Sequence, residues 1–325
     1  VPRLHSRRSF ITTCAAVSSA WAVSARPTGS EPTTTRGGST GTFGSRIHVF
    51  AKPFHAYSYE ETADLLAQAG YQGIDFTVRP GGHVEPDRVR EDLPRAVAAA
   101  RAAGLRVDMI TTAITRADAG ARTLLATAAD LGISVYRLGN FRYEPEGDPW
   151  QKLREIQPHL LELARLNERL GIHGGFQNHS GTWRVGAAGW DLHELLRDHD
   201  PRWLGCQFDI RHATAVLGTS WPVVFAVLAP WIRSIDIKDF RWIQRPGSQE
   251  VEDVPLGEGI VDLSGFLGRL HASGIDAAWS LHLEYPPFEH ASLPHGPELR
   301  AMHLDGLRRE RDRLAALVSS ATRPS

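Results

Sequence analysis

From Arg46 onward, short apolar runs of strand length alternate with longer segments whose apolar positions recur at helical spacing. Residues 47–50 read as a strand and 59–69 as a helix, with Ala63, Leu66 and Ala67 on one face and Gly70 as its stop. The next pairs are 73–78 with 93–103, 105–112 with 119–131, and 133–138 with 150–170. Gly104, Gly132 and Gly171 follow these helices, where a left-handed C-cap favours glycine. The second half keeps the beat: 172–177 with 191–197, 204–208 with 221–228, 234–237 with 263–272, and 277–284 with 298–317.

Eight βα units in succession predict an α/β chain closed into a (β/α)8 TIM barrel, because crossovers are right-handed and sequential strands pair. An open doubly wound sheet is the alternative. Its first strand would run into a glycine-rich phosphate loop, and Phe50-Ala51-Lys52-Pro53 is not one.

Four of the predicted strands end in polar side chains able to hold a metal. The stretches are Gly175-Phe176-Gln177-Asn178-His179, Cys206-Gln207-Phe208-Asp209-Ile210-Arg211-His212, Ser234-Ile235-Asp236-Ile237-Lys238-Asp239 and Ser280-Leu281-His282-Leu283-Glu284-Tyr285. In a parallel barrel these ends converge on one face. Side chains alternate along a strand, so Gln177 and His179 share a direction, as do Asp236 with Lys238 and His282 with Glu284. Asp209, Asp236 and Glu284 supply three carboxylates and Gln177 a carbonyl oxygen, a donor set suited to Mg²⁺ or Mn²⁺. Three unpaired carboxylates buried together would repel, and a bound cation removes that conflict. Metal ligation by Gln177, Asp209, Asp236 and Glu284 is therefore the expectation.

These residues resemble the xylose isomerase-like TIM barrels, the sugar phosphate isomerase/epimerase group. The resemblance runs from Arg46 to the last helix and rests on Gln177-Asn178-His179-Ser180-Gly181, Phe208-Asp209-x-x-His212-Ala213, Ile235-Asp236-Ile237-Lys238-Asp239-Phe240 and Pro255-Leu256-Gly257-Glu258-Gly259. It implies a divalent cation held by Glu, Asp, His and Glu, which fall on Gln177, Asp209, Asp236 and Glu284, with His212 touching substrate. Two positions depart from that pattern, Gln177 for Glu and Asp236 for His, and together they leave the site's charge unchanged. The ketose epimerases of the group use two ligand glutamates as acid and base on opposite faces. Glutamine takes up no proton, so Glu284 remains the candidate base, with His179, His212 or Lys238 as its partner.

The implied activity is a metal-dependent sugar isomerase or epimerase, abstracting a proton next to a carbonyl through an enediolate, with Glu284, His212 and Lys238 as catalytic residues. Arg79, His83, His179 and Arg241 are the candidate substrate contacts, with Lys52 and Arg137 at neighbouring strand ends. Trp183, Trp190 and Trp242 could stack on a sugar. Elimination from 3-keto-glycosides and a non-catalytic sugar-binding barrel are the rivals.

Composition narrows the partners. With 42% hydrophobic residues the chain can bury a large core, and a formal net charge of −1 argues against nucleic acid, including the abasic-site endonuclease chemistry of the same group. A small sugar or sugar derivative is the expected partner, and a homo-oligomer is compatible with the chain.

The N-terminus departs from this pattern. Ser6-Arg7-Arg8-Ser9-Phe10-Ile11 precedes a mildly apolar run to Val23, and Val23-Ser24-Ala25 resembles a cleavage site. Residues 1–25 resemble a twin-arginine export signal, which implies a periplasmic or extracellular protein. The apolar run is too short for a membrane anchor. Residues 26–45, rich in Thr, Ser, Gly and Pro, read as a flexible linker, and 46–320 as the barrel. The chain has two cysteines, Cys14 and Cys206; the first lies in the expected signal, so the expected mature chain has no internal disulfide.

Overall fold

In the computed structural model, which describes residues 43–289 and 293–323, the strands β1 (Ile47–Phe50), β2 (Ile74–Val78), β3 (Met109–Thr112), β4 (Val135–Arg137), β5 (His173–Gln177), β6 (Leu204–Asp209) and β7 (Ile232–Ile237) pair in parallel, each with its successor. A hairpin, β8 (Asp239–Arg245) and β9 (Ser248–Val254), follows β7. Strand β10 (Ala278–Leu281) then pairs with both β7 and β1 and closes the barrel. The expected export signal, Cys14 and nearly all of the expected linker lie outside the described residues.

The helices α1 (Tyr59–Gln68), α2 (Val89–Ala102), α3 (Ala119–Asp130), α4 (Pro149–Leu170), α5 (Trp190–Leu196), α6 (Ile210–Leu217), α7 (Trp221–Leu228), α8 (Leu263–Ser273) and α9 (Pro297–Ala321) connect or follow the strands. Their ends show local chemistry. Ser58 and Glu61 form a reciprocal capping box on α1. Asp148 caps α4 ahead of Pro149, and Gly171 ends it at φ 67°.

Helical faces bury Leu65, Leu66, Leu93, Leu160 and Leu163 against the outside of the strands. The barrel interior is polar by contrast. Asp75, Thr111, Gln207, Ser234 and Ser280 are fully buried there. Thr111 and Ser280 donate to Asp75 Oδ2 at 3.0 and 2.8 Å, and Ser234 donates to Gln207 Oε1 at 3.1 Å. These bonds satisfy part of the polar interior, while Asp75 Oδ1 stays buried without a hydrogen-bond partner.

Several features differ from the expectation; the strand expected over 105–112, for example, spans only Met109–Thr112. The helix expected from residue 93 begins at Val89 and carries Pro94 inside it. Strand β10 ends at Leu281, so Glu284 stands in the loop beyond it rather than on the strand. Helix α6 and the hairpin are additional to the eight expected units. Helix α6 follows β6 with no intervening loop, so its start carries no turn residues, only the cap supplied by Asp209 itself.

Candidate active site

The register aligns the site. Asp209 lies opposite Asp236 across β6 and β7, and Asp236 lies opposite Ser280 across β7 and β10. Both aspartates point into the barrel and are fully buried. Asp209 is also the N-cap of α6: its Oδ1 accepts from the His212 backbone N–H at 2.9 Å. Asn178 clamps the backbone of Asp209 from the next strand, accepting from its N–H at 2.7 Å and donating to its C=O at 3.0 Å.

Gln177, at the end of β5, turns its amide nitrogen toward both aspartates, 2.6 Å from Asp236 Oδ2 and 3.0 Å from Asp209 Oδ2. Arg137 fixes that orientation by donating to Gln177 Oε1 at 3.2 Å. Gln207 donates to Asp236 Oδ1 at 2.7 Å. Lys238 sits just past β7 with its ammonium 3.2 Å from Asp209 Oδ2, 2.9 Å from Glu284 Oε2 and 3.2 Å from His212 Nε2. Lys52 reaches across from the end of β1 and donates to Glu284 Oε1 at 2.9 Å. His282 lies at ion-pair distance from Asp236 Oδ1 (3.2 Å) and Glu284 Oε2 (3.5 Å), its ring stacked on Phe50 with centroids 4.2 Å apart.

Charge follows from these contacts. Burial would lower Lys238, but Asp209 and Glu284 outweigh it and hold the ammonium well above its usual range. Burial likewise opposes a charged His282, and Asp236 foremost raises it. Burial pulls Glu284 up, yet Lys238, His282 and Lys52 together hold it well below the ordinary glutamate value. Asp236 is lowered against burial by His282, Arg137 and Lys238. Asp209 is raised, burial outweighing Lys238. His212 is held well below its usual value by burial, with Lys238, His179 and Arg211 around it.

The predicted substrate contacts divide. His179 stacks on His212 at 4.0 Å and belongs to the site. Arg79 joins it through Phe50, whose ring lies 5.9 Å from that guanidinium and 5.8 Å from that of Arg137. His83 sits at the end of β2, bonded to Thr77 and packed on His55 at 4.5 Å, in no contact with the carboxylates. Arg241 is not brought to the site: it is exposed on the hairpin and paired with Glu252 of the neighbouring strand. Trp242 is exposed on the same hairpin, and Trp183 and Trp190 are exposed on and after the loop that follows β5.

Other members carry no assigned role in the sequence, although His282 is expected to share the direction of Glu284. His282 and Gln207 face the carboxylates, a role readable from strand alternation with Glu284 and Asp209. Arg211 is buried, donates to Asp253 of the hairpin at 2.7 Å and lies 3.0 Å from His212 Nδ1. Asp239 accepts from the backbone N–H groups of Gly257, Gly259 and Val261, so the Pro255–Gly259 stretch is an anchored loop here. Glu258 in that stretch points outward to Arg313.

The family model for the xylose isomerase-like TIM barrel matches residues 63–309. The chain belongs to that family. Solved structures agree on the fold. A 3-keto-D-glucoside 4-epimerase from E. coli is 12% identical, with a TM-score of 0.60 over 82% of this chain and 99% of its own. A D-tagatose 3-epimerase-like protein is 15% identical, with a TM-score of 0.61 over 83% and 98%. A xylose isomerase-like TIM barrel protein from Mycobacterium smegmatis, in complex with magnesium, is 16% identical, with a TM-score of 0.54 over 81% and 89%. No curated protein matches the chain in sequence.

A magnesium-bound relative makes the fit of a divalent ion to this xylose isomerase-like barrel a direct question. Such an ion needs lone pairs aimed at one point about 2.0–2.6 Å away. Gln177 offers the aspartates its nitrogen, its oxygen being held by Arg137. Asp209 spends Oδ1 on the α6 cap and Oδ2 on Gln177 and Lys238. Asp236 is engaged by Gln207, Gln177 and His282, and Glu284 by Lys52 and Lys238. Among the described residues no group of three or more His, Cys, Asp or Glu could hold a metal. The expected ligands Gln177, Asp209, Asp236 and Glu284 do converge, but as arranged they do not fit a divalent ion. Contrary to the expectation from the strand ends alone, the carboxylates are not unpaired, because Lys238, Lys52 and His282 lie against them.

Proposed function

We propose that this xylose isomerase-like barrel acts on a small sugar or sugar derivative at the C-terminal mouth, removing a proton from a carbon next to a carbonyl. The single observation that carries the reading is Glu284. It is the one carboxylate of the three with side-chain exposure, 16% against 0% for Asp209 and Asp236, and it lies between two ammonium groups. A carboxylate held ionised beside fixed cations is the pairing that enolisation needs: a base for the C–H proton and donors for the oxyanion that forms.

Glu284 is a weak base while both its oxygens are engaged. A substrate oxygen that accepts from Lys52 or Lys238 competes with Glu284 for that ammonium and returns basicity to the carboxylate. The C–H electron pair becomes the C=C bond of an enediolate, and the carbonyl oxygen gains the charge that the ammonium groups stabilise. Return of the proton from Glu284 to the neighbouring carbon, with the hydroxyl proton passing from the second oxygen to the first, completes an isomerisation on one face. Arg79 and Arg137, grouped around Phe50, are suited to the hydroxyl or carboxylate oxygens of the same substrate.

Elimination is the second reading, and Gln177 favours it. Its amide is 2% exposed and engaged at both ends, so a second carboxylate for two-face epimerisation is missing. Expulsion of a leaving group from the β carbon of a 3-keto-glycoside needs only one base. Incubation with free ketoses, aldoses, sugar acids and 3-keto-glycosides, followed by NMR, separates the two. Interconverted sugars support isomerisation, released aglycone supports elimination, and no turnover of any of them contradicts the proposal. Export to the periplasm or cell exterior, expected from the twin-arginine pattern, would bring such free or oxidised sugars within reach.

A further inference from the structure

The three carboxylates of this site need counter-charge, and the structure contains a candidate at their centre. Lys238 Nζ is within 3.2 Å of Asp209 Oδ2 and 2.9 Å of Glu284 Oε2, at 4% exposure. His282 performs the same service between Asp236 and Glu284. Gln177, where a charged ligand would add a fourth negative group, donates hydrogen bonds to both aspartates. These features are mutually consistent. With its N–H groups turned inward, Gln177 gives the aspartates donors rather than an ion a lone pair, and an internal ammonium meets the negative charge that remains.

We infer that the Lys238 ammonium is the resident cation of this site, and that the barrel neither binds nor needs a divalent ion. The catalytic half of this inference rests on the proton-transfer reading above, with Lys238 and Lys52 serving as the electrophiles that polarise the carbonyl. The binding half stands apart from it. The ammonium lies 3.2 Å from Asp209 Oδ2 and donates to Glu284 Oε2 at 2.9 Å, so it engages lone pairs that a divalent ion would need.

The test is a titration of the full chain, stripped with chelator, with Mn²⁺ followed by electron paramagnetic resonance. The free-ion signal is expected to rise in proportion to added Mn²⁺ from the first aliquot, and the melting temperature to stay unchanged with excess Mn²⁺. Stoichiometric loss of that signal in the wild type, abolished by Asp209→Asn, would overturn the inference. Lys238→Met supplies a second arm, because it removes the ammonium and leaves the carboxylates. It should bind Mn²⁺ at least about tenfold more tightly than the wild type. A folded Lys238→Met protein with no gain would contradict the placement of the cation. If that variant does not fold, the wild-type titration decides alone. Neither arm uses a sugar, so a failed substrate screen leaves the metal result readable.

Discussion

The amide nitrogen of Gln177 lies 2.6 Å from Asp236 Oδ2 and bridges it to Asp209, whose Oδ2 is 3.0 Å away. One neutral side chain thus holds two buried carboxylates in a single cluster. Replacing Gln177 with Glu would set a third carboxylate against them in full burial. Gln177→Glu is expected to destabilise the fold by on the order of 3 kcal/mol, read as a lower denaturation midpoint at neutral pH. An unchanged midpoint would mean that the glutamine orientation described here is wrong.

Asp209 performs two tasks that two substitutions separate. Asp209→Ala removes the α6 cap, worth about 1 kcal/mol, and also takes one of two carboxylate partners from the buried Lys238 ammonium, which costs on the order of 1–3 kcal/mol more. Asp209→Asn retains an oxygen for the His212 N–H but loses the charge and the Oδ2 acceptor that faces Gln177 and Lys238. Equilibrium unfolding of both variants should place Asp209→Asn between the wild type and Asp209→Ala.

Glu284 carries the proposed chemistry, while its partly exposed loop position makes it less important to folding. Glu284→Gln should lower kcat by about 10²–10⁴-fold, with far smaller change in the melting temperature than Asp209→Ala produces. Steady-state kinetics alongside thermal melts check both halves.

His173 gives a pH signature away from the mouth. It begins β5, with Nδ1 3.2 Å from the Arg202 carbonyl, and burial lowers it to about 4. A histidine lowered in the folded state binds its proton more readily when unfolded. Its contribution is therefore fully present above the unfolded value of about 6.5 and is lost as pH falls toward 4. The loss is on the order of 3 kcal/mol. Urea midpoints for the wild type should fall across that window, and His173→Gln should flatten the fall.

Much of the barrel is readable because the hydrophobic period repeats eight times and glycine stops close the first four helices. Asp209, Asp236 and Glu284 were legible as a converging set because strand ends in a parallel barrel share a face. Their counter-ions were harder to see. Lys238 lies two residues from Asp236 yet pairs with Asp209 and Glu284, contacts set by barrel curvature rather than by spacing in the chain. Lys52 meets Glu284 from 232 positions away, which no local pattern encodes. Arg241 misled for the opposite reason: the hairpin turns it outward to Glu252, and antiparallel pairing of 239–245 with 248–254 was hidden by the polar sequence between β7 and α8.

The most direct measurement is solvent deuterium exchange into a turned-over sugar, in chelator-treated buffer, for the wild type and Glu284→Gln. The account predicts loss of the proton next to the carbonyl with wild-type protein and EDTA present, and almost none with Glu284→Gln. Equal turnover by both proteins, or turnover that appears only when Mn²⁺ or Mg²⁺ is restored, would contradict this.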